Sequence, residues 1–138
     1  MKYILIVLAA LGIVVSALAL HEHYRTDTSP CSINERWDCG IVNKSPYAML
    51  GPIPVAVIGI AGYFLLALLA ARRAYRLLLA AAVAALAFSL YLAHIEAHVL
   101  EVWCIYCVIS LGIISLITLL TIATALASSL RKPSRAAQ

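Results

Sequence analysis

The run LLLAAAVAALAFSLYLAHIEAHVLEVWCIYCVISLGIISLITLLTIATALASSL, residues 77–130, decides the fold. It holds two apolar stretches, Leu77 to about His94 and about Cys104 to Leu130. Each is long enough for a bilayer core about 30 Å thick, which takes roughly 20 helical residues. Between them His94, Glu96, His98 and Glu101 would be costly at bilayer depth, so this segment is expected to make a tight turn at an interface. Two similar stretches precede it, Tyr3 to Leu20 and Ile53 to Ala71. Four helices use almost the whole chain. The pattern predicts one all-α domain over residues 1–138, an integral membrane four-helix bundle with an extracytoplasmic loop between helices 1 and 2.

Composition agrees. Of the 138 residues, 64% are hydrophobic and only 12% charged, and mean hydropathy is +1.01. Globular domains are about half apolar and a quarter charged, so this excess has no soluble core large enough to hide it. A soluble enzyme, a disordered tail and a nucleic-acid module are excluded on that ground. Four cysteines are too few for a disulfide-rich mini-protein.

The net charge of +4 reads as topology. Lys2, Arg72, Arg73, Arg76, Arg131, Lys132 and Arg135 fall on one side of the spans, with no acidic residue among them. Arg25, Arg36 and Lys44 fall on the other, together with all six acidic residues. The positive-inside bias then puts both termini in the cytoplasm and the segment from His21 to Pro52 outside. A cleavable signal peptide is the competing reading of the first span, since Ala17-Leu18-Ala19 is a small-x-small site. The apolar run exceeds most signal h-regions, so an uncleaved helix is expected.

Small residues at Ala80 to Ala87 and at Gly59 and Gly62 read as close-packing helix faces. In the outer loop, Ser45-Pro46 resembles an N-cap with proline at the first helical position, predicting a short surface helix from Ser45 to Leu50. Gly51-Pro52 then opens the second span.

The cysteines carry the chemistry. Cys31 and Cys39 lie in the outer loop, and Cys104-Ile105-Tyr106-Cys107 lies where the fourth helix starts, so all four are expected on one oxidising side. Two pairs at one surface make a path for exchange, because a thiolate must reach a disulfide sulfur directly. At a helix N-terminus the first thiol of a C-x-x-C meets the helix dipole, which makes Cys104 the better nucleophile, with Glu101 opposing if it lies close. Structural disulfides in a non-catalytic tetraspan protein are the main rival reading. A pair closing two residues constrains little chain, which argues against it. A metal site built with His21, His23, His94 and His98 is disfavoured, because the spacing from Cys31 to Cys39 is not that of zinc ligands.

The motifs together resemble the vitamin K epoxide reductase family in its bacterial single-domain form. The loop pair Cys31-x7-Cys39 comes first, then Ser45 six residues on, then Tyr91-Leu92-Ala93 leading through Val99-Leu100 into the C-x-x-C. The DsbB type of quinone-coupled disulfide generator has the C-x-x-C in the first outer loop, the reverse order. The resemblance implies an inner-membrane thiol oxidase, a four-helix bundle around a quinone, ubiquinone or menaquinone. It implies that Cys31 exchanges with a separate DsbA-like thioredoxin-fold partner outside, that Cys39 exchanges with Cys104, and that Cys107 faces the quinone. Ser45 is similar to the family's loop Ser/Thr, near the relay, and Tyr91 is expected at the quinone. The vertebrate enzymes use an Asn on the second span and a Tyr shortly after the C-x-x-C. Here the second span has no Asn and position 111 is Leu, which favours plain quinone reduction over epoxide reduction.

Overall fold

A computed structural model describes residues 1–24 and 33–136, the side chains of 131–136 excepted. Among the described residues the fold is all-α apart from one hairpin of two-residue strands. Helix α1 runs Lys2–Tyr24, α2 Cys39–Asn43, α3 Val55–Ala71, α4 Tyr75–Ile95 and α5 Ile105–Ala136. Three segments are long and apolar enough to cross a membrane: Lys2–Tyr24, Tyr75–Leu100 and Ile105–Leu130. At most 28% of the most apolar window in each is buried inside the protein. Large apolar side chains such as Tyr3, Phe64, Leu77 and Leu119 face outward, as a bilayer protein requires.

The fourth expected span, α3, is apolar but has 17 residues, about 26 Å of helix at 1.5 Å per residue. It starts at Val55 rather than Ile53, because Ile53–Pro54 (β2) pairs antiparallel with Met49–Leu50 (β1) around Gly51 and Pro52. Gly51 sits at φ 63, where glycine carries no Cβ penalty. The expected surface helix from Ser45 to Leu50 is reduced to one 3-10 turn, Pro46–Ala48, for the same reason. Ser45 precedes that turn without a side-chain cap, since its hydroxyl donates backwards to the Val42 carbonyl at 2.8 Å.

The four long helices pack antiparallel in chain order. Gly12 lies against the Tyr63 ring so closely that a Cβ there would overlap it, and a Cβ on Gly59 would stand 2.8 Å from Ser16 Oγ. These contacts set the approach of α1 to α3. Gly62 meets nothing within 4 Å, so the expected pair of packing glycines divides into one contact and one opening. The core joins Leu5, Ala9, Leu66, Leu78, Ile114 and Ile117 from all four long helices. Tyr63 would otherwise bury a bare hydroxyl; it donates to the Ser110 carbonyl at 2.9 Å and shares a 2.7 Å bond with the Ser110 hydroxyl.

The junction of α4 and α5 differs from a simple turn. Helix α4 runs into a π-helical turn over Glu96–Leu100, and Glu101 ends it at φ 55, a left-handed conformation that reverses the chain. The backbone then bridges to the outer segment: Trp103 N donates to the Arg36 carbonyl at 2.6 Å and Asp38 N to the Trp103 carbonyl at 3.0 Å. Trp37 and Trp103 pair in parallel there, their rings 6.5 Å apart.

Candidate active site

The main-chain bridge brings α2 against the start of α5. Asp38 caps α2, its side chain accepting from Ile41 N at 3.2 Å. Cys39 and Asn43 stand at i and i+4, on one face of this short helix, and both are buried. Cys39, Val42, Val102 and Cys104 form a buried cluster of their own, apart from the bundle core.

Asn43 sits between the two cysteine segments. Its Nδ2 donates to the Cys39 carbonyl at 2.8 Å and to Cys104 Sγ at 3.4 Å. Both partners are acceptors, which fixes the amide's orientation. The Asn43 main-chain carbonyl accepts from His23 Nδ1 on α1, so that tautomer carries its proton on Nδ1. The loop residue is thereby tied to three elements.

Cys39 is in a disulfide, whereas Cys104 and Cys107 are thiols. Cys104 is fully buried at the N-cap position of α5, its carbonyl taking Val108 N at 3.1 Å. The Cys104 thiol is held below the usual cysteine range, first by a hydrogen bond from the Cys107 side chain. Burial opposes this, the Cys107 backbone N–H assists, the Glu96 charge opposes, and the Asn43 amide assists. The carboxylate that opposes the thiolate is Glu96; Glu101, the residue considered from the sequence, is exposed on its left-handed turn.

Glu96 is 3% exposed. Its Oε2 accepts from Cys104 N at 3.1 Å, and its carboxyl is hydrogen-bonded with the Cys107 side chain. Glu96 stands at the junction of α4 with the π turn, and its bond to Cys104 N sets it against the start of α5.

A cavity of about 310 Å³ opens beside these groups. Cys107, Glu96, Asn43 and Ser45 line its cysteine end, and it continues past Gly62 and Tyr63 to Leu66 and Ile114. Its wall is mainly apolar with a few convergent polar groups, the character of a small-molecule site.

Of the residues singled out from the sequence, Cys39, Cys104, Cys107 and Ser45 come together at this end of the bundle. Cys31 lies outside the described residues. Tyr91 stands elsewhere: it is 55% exposed, stacked at 6.3 Å on Phe88, and absent from the cavity wall. His94 and His98 are exposed, with rings 4.7 Å apart. Asn43 joins the site without having been foreseen, while Glu96 and His23, weighed from the sequence as an interface residue and a disfavoured metal ligand, join it in other roles. Asn43 had a signal in its i+4 spacing from Cys39, but a five-residue helix has no periodicity to announce it.

A family model described as vitamin K epoxide reductase family matches residues 3–123. Comparison with curated proteins gives no match.

Proposed function

The chain belongs to the vitamin K epoxide reductase family, whose members are oxidoreductases, and on that premise we propose that it is a membrane thiol oxidase. In this reading electrons pass from a separate extracytoplasmic thioredoxin-fold protein through Cys31 and Cys39, then Cys104 and Cys107, to a quinone, supporting disulfide formation. The observation that carries it is the meeting of Cys39 and Cys104 on one Asn43 amide, with Cys107 in the wall of a mainly apolar cavity.

The residues fit a quinone. The cavity has the size and character of a small-molecule site, and Cys107 is the cysteine that lines it. The side chains of Tyr63 and Leu66 would hold the ring and tail among apolar atoms, with Gly62 leaving room beside them. When bound, the quinone supplies a two-electron, two-proton acceptor. The chain's own part is thiol exchange. A Cys39 thiolate attacks the Cys104 sulfur of a Cys104–Cys107 disulfide; the Cys39–Cys104 bond forms and Cys107 leaves with the electron pair. Cys31 then attacks Cys39, and Cys104 leaves as a thiolate that Asn43 and the Cys107 N–H stabilise.

The basic clusters lie at the end of the bundle opposite the cysteines, and the proposal places the cysteine end on the periplasmic face of the inner membrane, with both termini cytoplasmic. The test is quinone reduction by purified protein with a reduced thioredoxin-fold donor. Cys107→Ala should abolish quinone reduction while leaving exchange with the donor intact. Cys31→Ser should do the converse, sparing quinone reduction driven by a small dithiol. Normal oxidation of the protein donor by the Cys31 variant would refute the relay order.

A further inference from the structure

A carboxylate enclosed at the end of an apolar bundle is expensive to keep, and Glu96 is kept against both cysteines of the C-x-x-C. One oxygen is occupied by the Cys104 N–H, which fixes the carboxyl group, and the group also reaches the Cys107 side chain. Closing a disulfide between a thiolate and a thiol releases one proton, and that proton starts on sulfur. Among the described residues Glu96 is the ionisable side chain in contact with both cysteines apart from the thiols themselves. His23 also lines the cavity, but its Nδ1 is committed to the Asn43 carbonyl.

We propose that Glu96 is the proton acceptor for Cys107. As the Cys107 sulfur bonds to the Cys104 sulfur, the S–H proton passes to the Glu96 carboxylate, which is hydrogen-bonded to that side chain. In the proposed reaction the electron pair goes to the quinone. Glu96 lines the cavity wall, so a quinone bound there would draw one of its two protons from this carboxyl group and the other from solvent. This step rests on the thiol-oxidase reading for its physiological acceptor, but the proton transfer itself belongs to the thiol pair and is open to a test that contains no quinone.

The test uses the full chain in detergent with the Cys39 disulfide closed and Cys104 and Cys107 reduced, mixed with an aromatic disulfide reagent that releases a coloured thiolate. The first equivalent reports attack by the Cys104 thiolate, forming a mixed disulfide. The second reports ring closure: Cys107 loses its proton, its sulfur attacks Cys104, and the second aryl thiolate leaves. Cys107→Ser, which can release only the first equivalent, identifies the first phase. In Glu96→Gln the first phase should be unchanged or faster, because a negative neighbour of Cys104 is gone. The second phase should slow at least about tenfold, in the range ordinary for loss of a general base, and should lose its solvent deuterium isotope effect. Glu96→Asp, which keeps a carboxyl group, should retain the isotope effect at an intermediate rate, and it decides the matter if the Gln variant does not fold. Equal slowing of both phases would make Glu96 a structural support and overturn the proposal, as would a second phase at the wild-type rate. A wild-type protein that shows this pattern yet reduces no quinone would refute the thiol-oxidase reading alone.

Discussion

Asn43 stands where one amide reaches both the Cys39 peptide and the Cys104 sulfur, so it links the position of the outer segment to the reactivity of the inner one. A hydrogen bond to sulfur favours the thiolate, and removing it raises the thiol's pKa. Asn43→Ala should therefore shift the Cys104 titration to higher pH. A net hydrogen bond of about 0.5–1.5 kcal/mol corresponds to roughly half to one pH unit. Thiolate absorbance in protein with the Cys39 disulfide closed measures it. At pH values below the shifted midpoint the variant holds less thiolate than the wild type and should exchange more slowly; an unmoved midpoint would remove Asn43 from the list of groups that tune Cys104. Ser45 belongs to the same corner, but its hydroxyl turns to the Val42 carbonyl rather than to sulfur, so its service is to close α2.

Among the elements, the contact of α1 with α3 depends on the absence of a side chain at Gly12. Gly12→Val would drive two methyl groups into the Tyr63 ring, and overpacking of this kind costs about 1–3 kcal/mol. Unfolding in mixed detergent should register that loss, with Gly62→Ala as a control that meets open space. The long helices were legible from the sequence because their signal is cumulative: eighteen or more apolar residues leave few alternatives. Their ends were less so. Ile53 and Pro54 looked like helix but are claimed by a strand pair whose partner, Met49–Leu50, no local pattern announces. The C-x-x-C was legible as chemistry, whereas Glu96 read as a mark of the interface. Its approach to the thiols depends on a π turn and on the left-handed Glu101, and a side chain without glycine's freedom gives no warning of that conformation.

At the scale of the molecule, Lys2, Arg72 and Arg73 mark one end of the bundle and the cysteine cluster the other. If the basic end is cytoplasmic, an Arg73→Cys variant on a background without the native cysteines should react with an impermeant maleimide only after the membrane is opened. Labelling from outside intact cells would invert the orientation. The meeting of α2 with α5 makes a second prediction at this scale. In a Cys31→Ser, Cys107→Ser double variant neither resolving thiol remains, so Cys39 and Cys104 should be trapped as a disulfide, seen as a cross-linked peptide after non-reducing digestion. Cα atoms within about 7 Å are needed, and their shared amide partner puts the two residues side by side. Free thiols at both positions under oxidising conditions would refute direct transfer between them.

The bridge between Trp37 and Trp103 is held by main-chain hydrogen bonds and flanked by their rings, and no sulfur takes part in it, so it does not depend on which sulfurs are bonded beside it. The two cysteine-bearing segments therefore have no need to part and dock again at each turnover. A change of sulfur partner within this fixed frame becomes a matter of side-chain rotation, in the picosecond-to-nanosecond class, rather than of loop movement over microseconds or longer. The slow events of the cycle are then left to encounters: arrival of the reduced protein outside, and traffic of the lipophilic acceptor within the bilayer.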